Sequence, residues 1–107
     1  MSADIYLQLK SLKDYGFKDQ LTRSGLSVPS NIAEGLERTS ELEKVRFLDI
    51  ARASIAEAKT QIYIGMKIEY IPRNIGNLWI KEYGELGRML TSLMQSIQEN
   101  VQKRTSK

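Results

Sequence analysis

Arg52, Lys59, Tyr63, Lys67 and Tyr70 carry the side chains best suited to chemistry with a polyanion. Helical spacing gathers them on one broad side of a single helix, where cationic groups meet phosphates and phenol rings stack on unpaired bases. Lys103, Arg104 and Lys107 add a non-specific, salt-sensitive attraction. The plainer account of the same residues is a subunit contact made by the tyrosines, with the cations as its solvated rim. Sixteen Lys and Arg against 13 Asp and Glu, a net charge of +3, favour polyanions only weakly.

A second polar set, Asn31, Glu34, Arg38, Arg46, Arg52 and Glu57, interrupts or borders the apolar helical seams. It reads either as a ligand or active site or as a hydrogen-bonded network that fixes helix register, and the network is the preferred reading because buried charge must be paired. The sequence has no Cys and no His. That removes disulfides, thiolate nucleophiles, imidazole bases and the common soft metal sites together. An all-carboxylate metal site on Glu34 and Glu57 lacks the Glu-x-x-His ligands of di-metal bundles, and Ser54 has no base to activate it. The expectation is no enzyme, no metal, no cofactor and no small-molecule substrate. Gly76, Gly84 and Gly87 form no phosphate loop and are read as places where a neighbouring helix backbone comes close.

These side chains must be positioned by helices, because strand-like alternation is scarce and only two prolines occur. A first short helix is expected over about Ala3 to Lys13, with Ile5, Leu9 and Leu12 at helical spacing, and a second over Phe17 to Leu36. Pro29 falls inside the second, where it removes a donor and presses on the carbonyl of Gly25. A kinked continuous helix is preferred over a break with Ser27 capping a new start. Ser40 and Glu43 have the form of a capping box, opening a third helix that reaches Tyr70. Pro72 ends it and Asn74 caps a fourth running to about Val101, leaving Gln102 to Lys107 as a frayed basic tail. The 107 residues make one domain, 1–107, and no apolar run nears the roughly 20 residues that cross a bilayer. The Met1-Ser2-Ala3-Asp4 start lacks a signal-peptide pattern, so a cytoplasmic protein with no membrane partner is expected.

Phe47, Ala51, Ile55, Ala58, Ile62 and Gly65 or Met66 form one stripe of the third helix. Val45, Ala56, Tyr63 and Tyr70 lie to one flank of it, and Ile50, Ile64 and Ile68 to the other. On the fourth helix Ile75, Trp79, Tyr83, Leu86, Leu90, Leu93, Ile97 and Val101 form a seam with Leu78, Met89 and Met94 beside it. One small core cannot cover all of this, and copies of the chain are the simplest cover.

From about Tyr15 onward the chain resembles the four-helix-bundle proteins encoded within intervening sequences of bacterial 23S rRNA genes. The resemblance rests on Gln20-Leu21, Arg23, Val28-Pro29-Ser30-Asn31-Ile32-Ala33-Glu34-Gly35, Arg38, Phe47-Leu48, Ile50-Ala51-Arg52, Ser54 and Glu57. It implies an up-and-down bundle that assembles as a homopentamer, and related accessory proteins of diversity-generating retroelements bind nucleic acid and a reverse transcriptase. The chain departs from the family in lacking a Phe-Pro pair before Tyr15 and in having Ala53 where glycine is frequent. The combined expectation is an all-α, antiparallel up-and-down four-helix bundle with a shortened first helix. It forms a small ring and associates, without catalysis, with RNA through a multivalent basic surface, 23S rRNA and the ribosome being the expected context. The alternative is a protein-interaction scaffold with no physiological nucleic-acid binding.

Overall fold

The computed structural model describes residues 2–9 and 14–105. They form α1 (Ser2–Leu9), α2 (Tyr15–Glu37), α3 (Glu41–Lys67) and α4 (Arg73–Thr105), an antiparallel four-helix bundle with a shortened first helix. Local chemistry sets the ends. The Asp14 carboxylate accepts the Phe17 amide at 3.1 Å and opens α2, two residues earlier than expected. Ser40 Oγ accepts the Glu43 amide at 3.3 Å and opens α3. At the far end of α3, the Gly65 carbonyl accepts the amides of both Tyr70 and Ile71, and Glu69 takes a left-handed φ of 66°. That turn ends α3 at Lys67 rather than at Tyr70. A Cβ on Gly65 would stand 2.6 Å from Ile71 and 2.7 Å from Phe17, so only glycine lets the turn close. Gly76 is held likewise by the Met66 side chain, which occupies the space of a Cβ.

Asn74 does not cap α4, which already begins at Arg73. The tail expected to fray from Gln102 is helical through Thr105, and Arg104 pairs with Glu41 at the start of α3. The part of the first-helix expectation that covers residues 10–13, and Lys107, lie outside the described residues.

α3 packs against α2 on one side and α4 on the other, while α1 lies on α2. The core is built from Leu21 and Val28 of α2, Leu48, Ala51, Ile55, Ala58, Ile62 and Met66 of α3, and Trp79, Tyr83, Leu90 and Met94 of α4, joined by Ile5 and Ile71. On α3 this is the expected stripe with Leu48 buried beside the half-buried Phe47. On α4 the seam differs: Met94 is buried while Leu93 is 38% exposed. The expected seam stepped by sevens, and an undistorted helix drifts about 20° per heptad from that repeat. The eleven-residue step from Tyr83 to Met94 follows the real pitch.

Pro29 lies within a continuous α2. Because proline has no N–H, the Gly25 carbonyl one turn back loses its helical donor. Ser2 Oγ donates to that carbonyl at 2.8 Å. Beside it Ile5 is fully buried, its Cδ1 3.4 Å from where a Cβ on Gly25 would be. The proline thus exposes the acceptor that latches α1 in place. Ser2→Ala is expected to cost about 1 kcal/mol of stability in urea denaturation. In a Pro29→Ala background, where residue 29 supplies its own N–H, the cost should shrink by at least about 0.5 kcal/mol. Equal costs in both backgrounds would separate the hydroxyl from the proline.

Tyr83 is 1% exposed and its hydroxyl has no hydrogen-bond partner among the described residues. Burial, with a smaller contribution from the nearby Glu82 carboxylate, pushes its pKa up to about 12. A folded-state pKa above the unfolded value means that stability is intact below about pH 10 and is lost as pH rises toward the folded value. Tyr83→Phe removes an unpaired buried donor, so it should raise stability by about 1 kcal/mol at neutral pH. It should also flatten the alkaline loss seen in urea midpoints between pH 9 and 11. Destabilisation at pH 7 would show that the hydroxyl is paired.

No helix among the described residues is long and apolar enough to cross a membrane.

Candidate nucleic-acid interface

α3 and α4 face each other across an open groove of about 540 Å³. From α3 come Arg52, Ile55, Ala56 and Lys59, one side of the helix at successive turns, and from α4 come Tyr83, Gly84, Gly87, Arg88, Thr91 and Ser92. The wall is small and apolar near the core and cationic at the lips. Arg52 is fixed at one end: its guanidinium donates to Asp49 at 2.7 Å and to Thr91 Oγ1 at 3.2 Å, and Thr91 in turn donates to the Gly87 carbonyl at 3.0 Å. Lys59 and Arg88 have no hydrogen bond or ion pair among the described residues. The Arg88 guanidinium lies over Gly84, its Nη1 3.6 Å from the position a Cβ would take there. Two cations unpaired among the described residues and the Ser92 hydroxyl therefore line the groove, an arrangement able to hold phosphate oxygens.

The residues singled out in the sequence separate into three groups. Arg52 and Lys59 share the groove, and Tyr63, 53% exposed, follows Lys59 by one turn on the same face. Lys67 is exposed in the last turn of α3. Tyr70 stands apart: its hydroxyl donates to Asp14 at 3.0 Å and its ring meets Phe17 edge-on with centroids 5.3 Å apart. That bond raises the Tyr70 pKa, while the Phe17 amide first and the Tyr70 hydroxyl second lower that of Asp14. Tyr70 is thereby tied to the α2 cap, away from stacking on a base. Arg104 is tied to Glu41, and Lys103 is also engaged. Arg88 was missed because its place opposite Lys59 depends on the register of α4 against α3, which a single helical wheel does not carry.

The polar network between α2 and α3 differs from the expected one. Ser27 Oγ and Ser54 Oγ meet at 2.8 Å, Asn31 Nδ2 donates to the Ser27 carbonyl and hydroxyl, and Ser24 Oγ donates to Gln61 at 2.7 Å. Of the expected members only Asn31 belongs to this chain of bonds. Glu34 in the last turn of α2 pairs with Arg38, the residue that caps the C-terminus of that helix, and Arg38 stacks on the Phe47 ring with 4.8 Å between guanidinium and centroid. Arg46 and Glu57 are exposed and unpaired among the described residues. Serine hydroxyls replaced the expected charges because two helices this close leave room for short donors and none for solvated ions. Among the described residues, no three acidic side chains come together as a metal site.

Among solved structures, the chain is similar to a protein of unknown function from the S23 ribosomal protein family of Bacteroides thetaiotaomicron. The TM-score is 0.81 at 24% identity, covering 87% of each chain. No curated protein matches the chain. The family model for the 23S rRNA-intervening sequence protein matches residues 1–92, which takes in α1, α2, α3 and the groove-lining part of α4. The four-helix architecture, the proline-bearing α2 and this match together place the chain in the 23S rRNA-intervening sequence protein family.

Proposed function

We propose that this protein is a non-catalytic, cytoplasmic, self-assembling bundle that holds RNA by its phosphates in the groove between α3 and α4. The observation that carries the reading is that Lys59 and Arg88, unpaired among the described residues, line that groove from different helices. An isolated solvated cation needs no explanation, but two on different helices converging on one cavity create a local positive field. The family description, an rRNA-intervening sequence protein, agrees with an RNA partner, and 23S rRNA is the target we favour.

Assembly uses other surfaces. Leu78, Met89 and Leu93 are exposed on α4, and Ile50, Ile64 and Ile68 are exposed on α3 and at its C-terminal cap. At about 100° per residue, the α4 set lies roughly opposite Gly84, Gly87 and Arg88. Copies packed through those faces leave the groove open. The ring of five that the family resemblance implies is the assembly we propose, and it converts a weak charge of +3 per chain into several linked phosphate sites.

The test is charge reversal at Lys59 and Arg88, with RNA affinity and solution mass read on the same sample. Lost affinity at unchanged mass supports the reading. Unchanged affinity overturns it and leaves the protein-interaction scaffold as the explanation of the exposed apolar faces.

A further inference from the structure

Of the three cations lining the groove, one is already taken. Arg52 Nη2 donates to Asp49 at 2.7 Å and Nη1 to Thr91 Oγ1 at 3.2 Å, whereas Lys59 and Arg88 are unpaired among the described residues. The Asp49 carboxylate itself lies outside the groove lining. At about 100° per residue, Asp49 and the buried Ile55 fall on opposite sides of Arg52. The pair is open to solvent, with 43% of the Arg52 side chain and 58% of that of Asp49 exposed, and such a pair one turn apart on a helix adds little to folding. Its larger effect is on what approaches from outside. A carboxylate on a guanidinium occupies the same planar donors that a phosphate would use, and it repels the phosphate as well.

We propose that Asp49 is an intrachain competitor for RNA phosphate at Arg52, withholding the third cation so that each groove grips a strand with Lys59 and Arg88 alone. This rests on the RNA reading above and names how the affinity of that site is set. Arg52 and Lys59 share one side of α3 about two turns apart, so a strand that follows α3 past Lys59 reaches Arg52 too. The Arg52 guanidinium already spans the gap to Thr91 on α4, and it needs only to change acceptor. No acidic side chain lines the groove among the described residues, so Asp49 supplies the one negative charge bonded to its cations. One groove therefore binds weakly, and a strand long enough to reach several copies is held by their sum.

The test compares the full chain with Asp49→Asn, which keeps the side-chain shape and removes the charge, using a fluorescent oligouridine. Affinity at about 0.1 M salt should rise about fivefold, the value of one phosphate contact at about 0.7 per decade of salt relative to 1 M. Between about 50 and about 200 mM salt, affinity should then fall about 18-fold rather than the about sevenfold of two contacts. Asp19→Asn is the control. It makes the same charge change and also frees an arginine, Arg23, but both residues lie outside the groove lining, so affinity should move less than about twofold. Arg52→Gln should cost about fivefold in the Asp49→Asn background and much less in the native one. A gain no larger than that of Asp19→Asn overturns the proposal, as does an equal cost of Arg52→Gln in both backgrounds. If Lys59→Glu, Arg88→Glu still lowers binding in those cases, the RNA reading stands without the competitor. If that double variant and Asp49→Asn both leave affinity unchanged, the two readings fail together.

Discussion

Lys59→Glu combined with Arg88→Glu is expected to lower affinity for unstructured RNA at least about 25-fold at about 0.1 M salt. The magnitude follows from counterion release: on a single strand each phosphate contact changes log affinity by about 0.7 per decade of salt. One contact is therefore worth about fivefold at 0.1 M relative to 1 M, and two are worth about 25-fold. Repulsion by the new carboxylates adds to the loss. Each reversal lowers the net charge by two, so the chain goes from +3 to −1, and the local field above the groove changes sign. Fold and assembly should be unaffected, since neither side chain has a partner among the described residues to lose. The control is Arg46→Glu, an exposed and unpaired cation outside the groove lining. It changes net charge by the same amount per site and should cost far less. Fluorescence anisotropy with the labelled strand reads all three proteins.

The second large effect concerns assembly. Met89→Glu with Leu93→Glu should convert the protein to single, folded chains at micromolar concentration, as read by light scattering. Met89 is 66% and Leu93 38% exposed on the chain alone, so the substitutions scarcely touch the intrachain core. Burial of such side chains in an interface contributes about 1.5–3 kcal/mol each. Losing two contributions of about 2 kcal/mol weakens the contact about a thousandfold, before the cost of desolvating two carboxylates. Circular dichroism should retain the helical signal. RNA affinity should fall too, though every groove is intact, because linked sites become separate ones. Unchanged mass would move the interface elsewhere, with the exposed isoleucines of α3 the next surface to change.

The helices were legible because their signals are local. Ser40 with Glu43 marks the start of α3, and the apolar stripe from Ala51 to Met66 is readable at one helical pitch. The continuity of α2 through Pro29 was also legible, as Gly25 stands one turn before it. What joins separate helices was not. Ser2 finding the Gly25 carbonyl, Ser27 meeting Ser54, and Arg88 facing Lys59 each depend on the offset of one helix along another. Periodicity within a helix contains no such offset. Tyr70 was misplaced for the same reason: its spacing continues the α3 face, but the Gly65 turn carries it off the helix to Asp14. The end of α3 at 67 was set by a left-handed residue at Glu69, and the helix α4 continues past 102 where Arg104 pairs with Glu41, neither of which a propensity reading supplies.

The most direct test of phosphate capture in the α3–α4 groove is the salt dependence of oligouridine binding by the assembled protein, followed from about 50 to about 200 mM monovalent salt. With the two groove cations Lys59 and Arg88 engaged, log affinity should fall linearly with log salt, by about sevenfold or more over that range at about 0.7 per contact. An affinity that holds within about twofold across the same range would contradict the capture of RNA by its phosphates.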